Sequence, residues 1–289
     1  MVDPGFGIGA TASRRTVVGF TGAPALTQKS PAQSTWKAPR LALVNLDPKG
    51  QVLVEQKALE LQLPVVSNQE GQDFDLLLVW TGERWQLQSR SGSPGPVSAE
   101  YVQGPQGYRR RAGGGRGQAV ARAVGLKPGR PSPAVLDLTG GLGRDAFLLA
   151  SLGCRMTVLE RDPVVHLLLQ DGFRRASEQP ELDWIPERVD LHLAEAKAWL
   201  AEALSPVPDV VYLDPMHPPR GKSALVKKEM QLLQRLVGSD ADSAELLQRA
   251  LRLPIPRVVV KLPLRATPLA QGVDTELRGK TTRFDLYFP

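Results

Sequence analysis

From residue 134 onward, short apolar runs alternate with longer segments whose apolar residues recur three or four positions apart. The short runs predict strands and the longer segments predict helices. The predicted strands are 135–138, 156–160, 189–193, 210–213, 257–262 and 282–288. The predicted helices are 146–152, 164–176, 196–204, 223–237 and 244–253. Strands that alternate with helices at this spacing predict a doubly wound, Rossmann-like α/β fold with a parallel sheet.

The segment before this domain has a different pattern. An apolar strand at 41–44, a short helix at 54–63 and a hairpin over 74–87 predict a small N-terminal α+β lobe. Residues 1–40 are rich in Gly, Pro, Ser and Thr and lack apolar periodicity, so we expect a disordered extension. The predicted division is therefore an extension at 1–40, a lobe at 41–101, a basic Gly/Arg-rich connector at 102–133 and the α/β domain at 134–289.

Composition excludes several classes of protein. Cys154 is the single cysteine of the 289 residues, which excludes a disulfide framework and a cysteine-rich zinc site. We expect no metal. No apolar run is long enough to span a membrane, and the start lacks the apolar core of a secretory signal. A lone thiol also fits a reducing compartment, so these features together favour a cytoplasmic location.

The net charge of +6 is unevenly distributed. Residues 101–130 contain seven Lys or Arg and no acid, residues 214–237 sum to +3, and residues 131–213 sum to −6. Basic blocks on an acidic fold predict a docking surface for a polyanion such as RNA. The candidate RNA-binding residues are Arg109, Arg110, Arg111, Arg116, Lys222, Lys227 and Lys228.

A glycine-rich loop follows the first strand of the α/β domain and opens a helix. Gly141 and Gly143 let the backbone turn sharply and approach a ligand, and the amides of the helix point at that ligand. The loop alone fits either a dinucleotide or S-adenosylmethionine. Asp137, just before the glycines, suits a cationic amino-acid group and suits a pyrophosphate badly. Glu160, at the end of the second strand, can bind ribose hydroxyls in both cofactor classes.

The fourth strand ends in an Asp-Pro loop. Strand carboxyl ends face the ligand crevice in such sheets, so Asp214 is predicted to lie beside the cofactor. Its carboxylate can accept a hydrogen bond from an exocyclic amine, while Pro215 stiffens the loop and aims a carbonyl. Two acceptors would direct the nitrogen lone pair toward a methyl donor. His217 stands where an aromatic side chain would stack on the base. The loop therefore favours S-adenosylmethionine over a dinucleotide.

Five motifs together resemble one known family. They are Gly113–Gly117, Gly140–Phe147, Leu159–Arg161, Tyr212–Met216 and Lys222–Met230. The chain resembles the RsmJ family of bacterial small-subunit ribosomal RNA (guanine-N2)-methyltransferases. The resemblance implies a class I S-adenosylmethionine methyltransferase fold. It also implies methylation of the N2 amine of a guanosine in 16S ribosomal RNA, with that RNA or the small ribosomal subunit as partner.

The resemblance also implies particular cofactor contacts. The positions that match the family's are Arg144, Asp145, Glu160, Arg161, Glu195, Ala196 and Asp214. Two positions depart from the family pattern: Glu195 replaces a small hydroxyl residue, and His217 replaces an aromatic residue.

Two alternatives stay open on the residues alone. The same Asp-Pro loop chemistry serves a methyltransferase that acts on the N6 amine of adenine. A second alternative is an RNA-binding protein with a degenerate methyltransferase fold, although the intact Asp137, Glu160 and Asp214 argue against it.

Overall fold

The computed structural model describes residues 37–93, 95–103, 115–202, 204–216, 226–238, 240 and 242–289. Over these residues the smaller sheet contains β1 (Leu41–Asn45), β2 (Val65–Val66), β3 (Leu76–Trp80) and β4 (Trp85–Ser89). The larger sheet contains β5 (Ala134–Asp137), β6 (Arg155–Glu160), β7 (Val189–Leu193), β8 (Val210–Leu213), β9 (Val258–Pro263), β10 (Thr275–Arg278) and β11 (Thr282–Tyr287). The helices are α1 (Gln51–Leu61), α2 (Ala119–Ala123), α3 (Arg144–Ser151), α4 (Pro163–Ser177), α5 (Ile185–Arg188), α6 (Ala196–Trp199), α7 (Val226–Val237) and α8 (Ser243–Ala250).

The larger sheet has the strand order β10-β11-β9-β8-β5-β6-β7. Strands β5 to β9 run parallel to one another. From β5 the chain adds β6 and β7 on one side of the sheet and then β8 and β9 on the other side. A crevice therefore opens between the carboxyl ends of β5 and β8, where the strand order reverses. The predicted doubly wound α/β fold is confirmed, and the crevice places the functional site.

One edge of this sheet differs from the parallel arrangement that the sequence predicted. Strand β11 pairs antiparallel with β9 and with β10, which the sequence analysis did not predict. A parallel neighbour needs a crossover that usually carries a helix. Residues 264–274, between β9 and β10, form no helix, and only residues 279–281 separate β10 from β11. These short connections fix the antiparallel edge.

The two faces of the larger sheet bury separate apolar clusters. Tyr212 of β8 packs with residues of α3 and α4, whereas its neighbours Val211 and Leu213 pack with residues of α8. Strands covered on both faces are apolar almost throughout. The buried carboxyl groups of Asp137 and Glu160 occupy the last positions of β5 and β6, at the crevice.

The smaller sheet has the order β2-β1-β3-β4, with β3 and β4 forming the predicted hairpin. Tyr101 connects this lobe to the larger sheet's helices. Its hydroxyl donates to the Leu142 carbonyl at 2.8 Å, and its ring stacks on Phe147 and Phe173, with centroids 4.6 and 4.9 Å away. The lobe therefore packs directly behind the glycine loop.

Helix α2 lies in the segment predicted to be a connector. Its buried residues Val120, Ala121 and Ala123 pack in the main core, and the helix contacts β10, β11 and α3. Helix α6 ends at Trp199, earlier than the predicted 204. The predicted domain boundaries stay predictions, and residues 1–36 of the predicted extension lie outside the described residues.

Candidate active site

A cleft opens at the carboxyl ends of β5, β6, β7 and β8. The predicted site residues that line it are Asp137, Gly141, Gly143, Arg144, Asp145, Glu160, Arg161, Glu195, Ala196, Asp214 and Pro215. These positions come from four strand ends and the helices that follow them, so the structure brings the predicted residues into one place. Their individual roles stay predictions.

The glycine loop is shaped by two residues in the left-handed region. Gly141 has φ +53° and Gly143 has φ +63°. A Cβ at position 143 would lie 2.4 Å from Leu169 Cδ1 and 2.6 Å from the Tyr101 hydroxyl oxygen. Gly143 is therefore required both by backbone conformation and by the close approach of α4 and the lobe.

Glu160 holds the loop against the end of β6. Its carboxylate oxygens accept hydrogen bonds from the amides of Gly141 and Asp162, each at 2.8 Å. Burial raises the pKa of Glu160 to about 8. Asp162 in turn caps α4 by accepting from the amides of Val164 and Val165. Glu160 thus sets the geometry of two loops that border the cleft.

Asp137 and Asp214 are linked by Thr139. The Thr139 amide donates to Asp137 at 3.0 Å, and the Asp214 amide donates to the Thr139 hydroxyl at 2.7 Å. Burial raises the pKa of Asp137 to about 7, and the nearby carboxylates of Asp214 and Asp145 add to the increase. Thr139 was not among the predicted site residues, because its role depends on the contact between two strand ends.

Lys261 of β9 lies between two carboxylates. Its Nζ is 2.7 Å from Asp145 Oδ2 and 2.7 Å from Asp214 Oδ2. The Tyr212 hydroxyl also donates to Asp145, at 2.7 Å. Lys261 was not among the site residues predicted from the sequence. The available signal was a single charge inside the otherwise apolar run of β9.

The two predicted arginines of the cleft are engaged with carboxylates. Arg144 forms an ion pair with Glu229 of α7. Arg161 pairs with Asp240 at 2.6 Å and with Asp242 at 3.2 Å. Asp240 also accepts a hydrogen bond from the Met216 amide at 2.6 Å. These contacts join the Asp-Pro loop, α7 and the segment before α8 to the start of α3 and the end of β6, on the side of the cleft that is predicted to hold the cofactor.

Most predicted RNA-binding residues lie outside the described residues. They are Arg109, Arg110, Arg111 and Lys222, and His217 of the Asp-Pro loop lies outside as well. Lys227 and Lys228 belong to α7, and the structure describes only the backbone of these two residues. Arg116 is described and half-buried, and its guanidinium donates to the Lys127 carbonyl at 2.9 Å.

The charge of the cleft identifies the kind of cofactor that fits. Its described lining contains eight carboxylic acids and three basic side chains. An acidic cleft attracts the sulfonium and ammonium groups of S-adenosylmethionine and repels the pyrophosphate of a dinucleotide. The assignment of Asp137 to an ammonium group and of Glu160 to ribose hydroxyls stays a prediction. The donor set therefore fits S-adenosylmethionine.

We expect the pH to control the stability of the cofactor-free protein through Asp137 and Glu160. Their pKa values of about 7 and about 8 exceed the ordinary values of 3.8 and 4.5, so the folded chain binds these protons more tightly than the unfolded chain. The resulting stabilisation is fully present below about pH 4 and is lost as the pH rises through about 7 to 8. Chemical denaturation at several pH values measures this decline.

We also expect the affinity for the cofactor to rise between about pH 6 and about pH 8, because a bound cation favours the ionised forms of Asp137 and Glu160. Calorimetric titration in two buffers of different ionisation enthalpy measures the protons released. Asp137→Asn should flatten the profile below about pH 7. A wild-type affinity that is constant over this range would contradict the prediction.

The parts of the chain that the structure describes contain no helix long and apolar enough to cross a membrane. Over the same residues, no group of three or more His, Cys, Asp or Glu side chains is arranged to hold a metal ion. The expectation of a metal-free protein stays a prediction.

The fold and the acidic cleft define a class of protein. A family model described as SAM-dependent methyltransferases matches residues 58–289, so this protein is a methyltransferase that uses S-adenosylmethionine. The solved structure of a SAM-dependent methyltransferase from Neisseria gonorrhoeae is 33% identical, with a TM-score of 0.66, and the match covers 86% of this chain and 96% of that one.

Curated relatives narrow the class to one family. Ribosomal RNA small subunit methyltransferase J of Marinobacter nauticus is 49% identical over 228 residues, which cover 78% of this chain and 82% of the relative. The protein of the same name from Pseudomonas aeruginosa is 45% identical over 258 residues, which cover 86% and 95% of the two chains. The chain belongs to the ribosomal RNA small subunit methyltransferase J family. The resemblance identified from the sequence is confirmed.

Proposed function

We propose that this protein transfers a methyl group from S-adenosylmethionine to the exocyclic N2 amine of a guanosine in 16S ribosomal RNA. The observation that carries the proposal is the position of Asp214. Its partly exposed carboxylate lies at the acidic cleft, directly after β8 and next to the glycine loop. The names of the relatives support ribosomal RNA of the small subunit as the substrate. They also favour an enzyme over a degenerate RNA-binding protein.

Cofactor binding is assigned to the ends of β5 and β6. Glu160 accepts hydrogen bonds from the ribose hydroxyls, and Asp137 offsets the positive charge of the amino-acid group. Arg144, Asp145, Arg161, Glu195, Ala196 and Asp214 complete the proposed cofactor contacts. When bound, S-adenosylmethionine supplies an activated methyl group on a sulfonium. The glycine loop allows the backbone to approach the cofactor closely.

The target amine is assigned to the Asp-Pro loop. Asp214 accepts a hydrogen bond from the amine, and Pro215 stiffens the loop that presents a second acceptor carbonyl. His217 stacks on the base. Two acceptors fix the plane of the amine and direct its lone pair, which is catalysis by orientation and electrostatic preorganisation. The amine needs no strong base, because its proton becomes acidic only as the new N–C bond forms.

RNA docking is assigned to the two basic blocks that flank the cleft in sequence. Arg109, Arg110, Arg111 and Arg116 form the first block, and Lys222, Lys227 and Lys228 form the second. These residues neutralise phosphates and position the RNA, while the cleft selects the base.

We also propose that the protein acts in the cytoplasm, where its RNA substrate is made, and that it uses no metal ion. We propose that the chain is divided into an extension at 1–40, a lobe at 41–101, a basic connector at 102–133 and a methyltransferase domain at 134–289.

Removing charge from the first basic block should flatten the salt dependence of RNA binding. Each phosphate contact contributes a slope of about −0.7 to −0.9 to the plot of log K against log salt. We therefore expect Arg110→Ala combined with Arg111→Ala to reduce the slope by about 1 to 2. Fluorescence anisotropy with a labelled 16S fragment, measured over a range of salt concentrations, provides the slope.

A matched double variant controls for the loss of two positive charges. Arg155 is exposed at the start of β6, and Arg252 is exposed in the segment before β9. Both lie at the end of the sheet opposite the cleft. Arg155→Ala combined with Arg252→Ala should leave the slope unchanged. Equal slopes for both double variants would refute the assignment of the first block.

Mass mapping of ribosomal RNA tests the proposed function directly. The 16S RNA of cells that lack the gene is incubated with the purified protein and labelled S-adenosylmethionine, then digested and compared with untreated RNA. We expect one new N2-methylguanosine. N6-methyladenosine would replace the proposed target by the alternative amine, and absence of any new methyl group would overturn the proposal.

A further inference from the structure

The side chain of Lys261 stands out because it is a charge inside a buried strand. Its neighbours Val260 and Leu262 are fully buried, whereas Lys261 reaches the cleft from the middle of β9 with 25% of its side chain exposed. A lysine that only gave solubility would lie on an exposed surface. Placing an ammonium group in a strand of this kind costs free energy unless specific partners stabilise the charge.

Lys261 joins two carboxylates that reach the cleft from different parts of the chain. Asp145 belongs to the first turn of α3, and Asp214 follows β8. Both lie 2.7 Å from the Lys261 Nζ. The side chain of Asp145 is almost completely buried, whereas that of Asp214 is 39% exposed toward the cleft. Asp145, Lys261 and Asp214 thus form a bridge. Its Asp145 end is fixed in the core, and its Asp214 end faces the place assigned to the substrate.

We propose that Lys261 is a positioning residue for methyl transfer, which keeps the Asp214 carboxylate ionised and fixes its orientation toward the target amine. This inference rests on the proposed function. Lys261 does not touch the reacting atoms. It acts through Asp214, and Asp145 holds its ammonium group in place.

The charges around the bridge explain why Asp214 needs a cation. Among the described residues, the groups that face Asp214 include Asp145 on α3, Asp137 at the end of β5 and the Tyr212 hydroxyl on β8. Two of these are carboxyl groups, and like charges favour protonation of one another. A protonated Asp214 would present a hydroxyl donor where the amine requires an acceptor, so the reaction depends on keeping it ionised.

Lys261 itself stays charged. Burial opposes its positive charge, but the carboxylates of Asp214 and Asp145 outweigh burial and raise the pKa of Lys261. The ammonium group therefore provides constant electrostatic support and takes no proton from the amine. A neutral side chain of similar length would fill the same space without that support.

Lys261→Met tests the inference, with Lys261→Arg as the conservative variant and Lys280→Met as the control. Lys280 is exposed in the turn between β10 and β11. We expect Lys261→Met to lower kcat by about 10²-fold, as for the loss of a preorganised electrostatic contact. We expect the KM for S-adenosylmethionine to change by less than about threefold. Lys261→Arg should recover at least about tenfold of the lost kcat, since it restores the charge.

The pH profile of kcat separates a positioning role from a structural one. Without the cation, the pKa of Asp214 rises, so the acid limb of the profile should move upward by about one pH unit or more in Lys261→Met. It should stay in place in Lys280→Met. An unmoved acid limb, or a kcat that falls only in proportion to the folded fraction, would overturn the inference.

Two further measurements keep the test decisive. If Lys261→Met does not fold, Lys261→Gln, which keeps a hydrogen-bond donor without the charge, is measured in the same way and must show the same shift. The wild-type reaction on 16S RNA is measured in parallel. Failure of the proposed function appears as an inactive wild type, whereas failure of this inference appears as an active wild type and an equally active Lys261→Met.

Discussion

Asp214→Asn should lower kcat for RNA methylation by about 10²- to 10³-fold, the range found when one preorganised polar contact to a reacting group is removed. Asparagine has nearly the same size and keeps one carbonyl oxygen, so the substitution removes charge with little change of shape. Hydrogen bonds to an ionised acceptor are about twice as strong as those to a neutral one. Single-turnover kinetics with saturating RNA and S-adenosylmethionine measure the chemical step.

The binding of S-adenosylmethionine by the Asp214→Asn variant should change much less than its kcat. Calorimetry is expected to give a Kd within about threefold of the wild type, which corresponds to less than 1 kcal/mol. Asp183→Asn is the matched control, because Asp183 is exposed and lies in the turn before α5. A variant at position 214 that methylates at the control's rate would show that the amine is oriented by other groups.

Glu160→Ala should weaken the binding of S-adenosylmethionine by about 10²-fold or more. A hydrogen bond to a charged group contributes about 1.5–3 kcal/mol, and this carboxylate is assigned both ribose hydroxyls. About 1.4 kcal/mol corresponds to a tenfold change in Kd, so even one lost bond is measurable. The substitution also removes the acceptor for the amides of Gly141 and Asp162, which loosens both loops. Isothermal calorimetry at about pH 8 measures the Kd.

Glu187→Ala provides the comparison for Glu160→Ala. Glu187 is exposed on α5, so its removal should leave the Kd unchanged. Thermal melting with and without S-adenosylmethionine distinguishes a weakened site from an unfolded one. If Glu160→Ala melts like the wild type and binds the cofactor equally well, Glu160 supports the loops without contacting the ribose.

The sequence predicted the parts of the fold that depend on local pattern. Strands β5 to β9 are short apolar runs separated by helices, and this pattern is sufficient for the doubly wound class. Strand β10 was missed because its residues Thr275–Arg278 are mostly exposed and lack an apolar run. The direction of β11 was missed because it depends on which edge of the sheet the chain meets after β9, and no local pattern contains that information.

The same distinction applies to the site. Asp137, Glu160 and Asp214 were predictable because each stands at or directly after the end of a strand, and strand ends converge in this fold. Thr139, Lys261 and Tyr101 were not predictable from spacing, because each joins segments that are far apart along the chain. Lys261 and Asp145, for example, are separated by 116 positions.

The contact of Tyr101 with the glycine loop makes the small lobe part of the cofactor site's support. Tyr101 belongs to the segment that joins the lobe to the catalytic fold, and its hydroxyl fills the space that only a glycine at position 143 leaves open. A chain without the lobe would therefore lack the side chain that closes the back of the glycine loop.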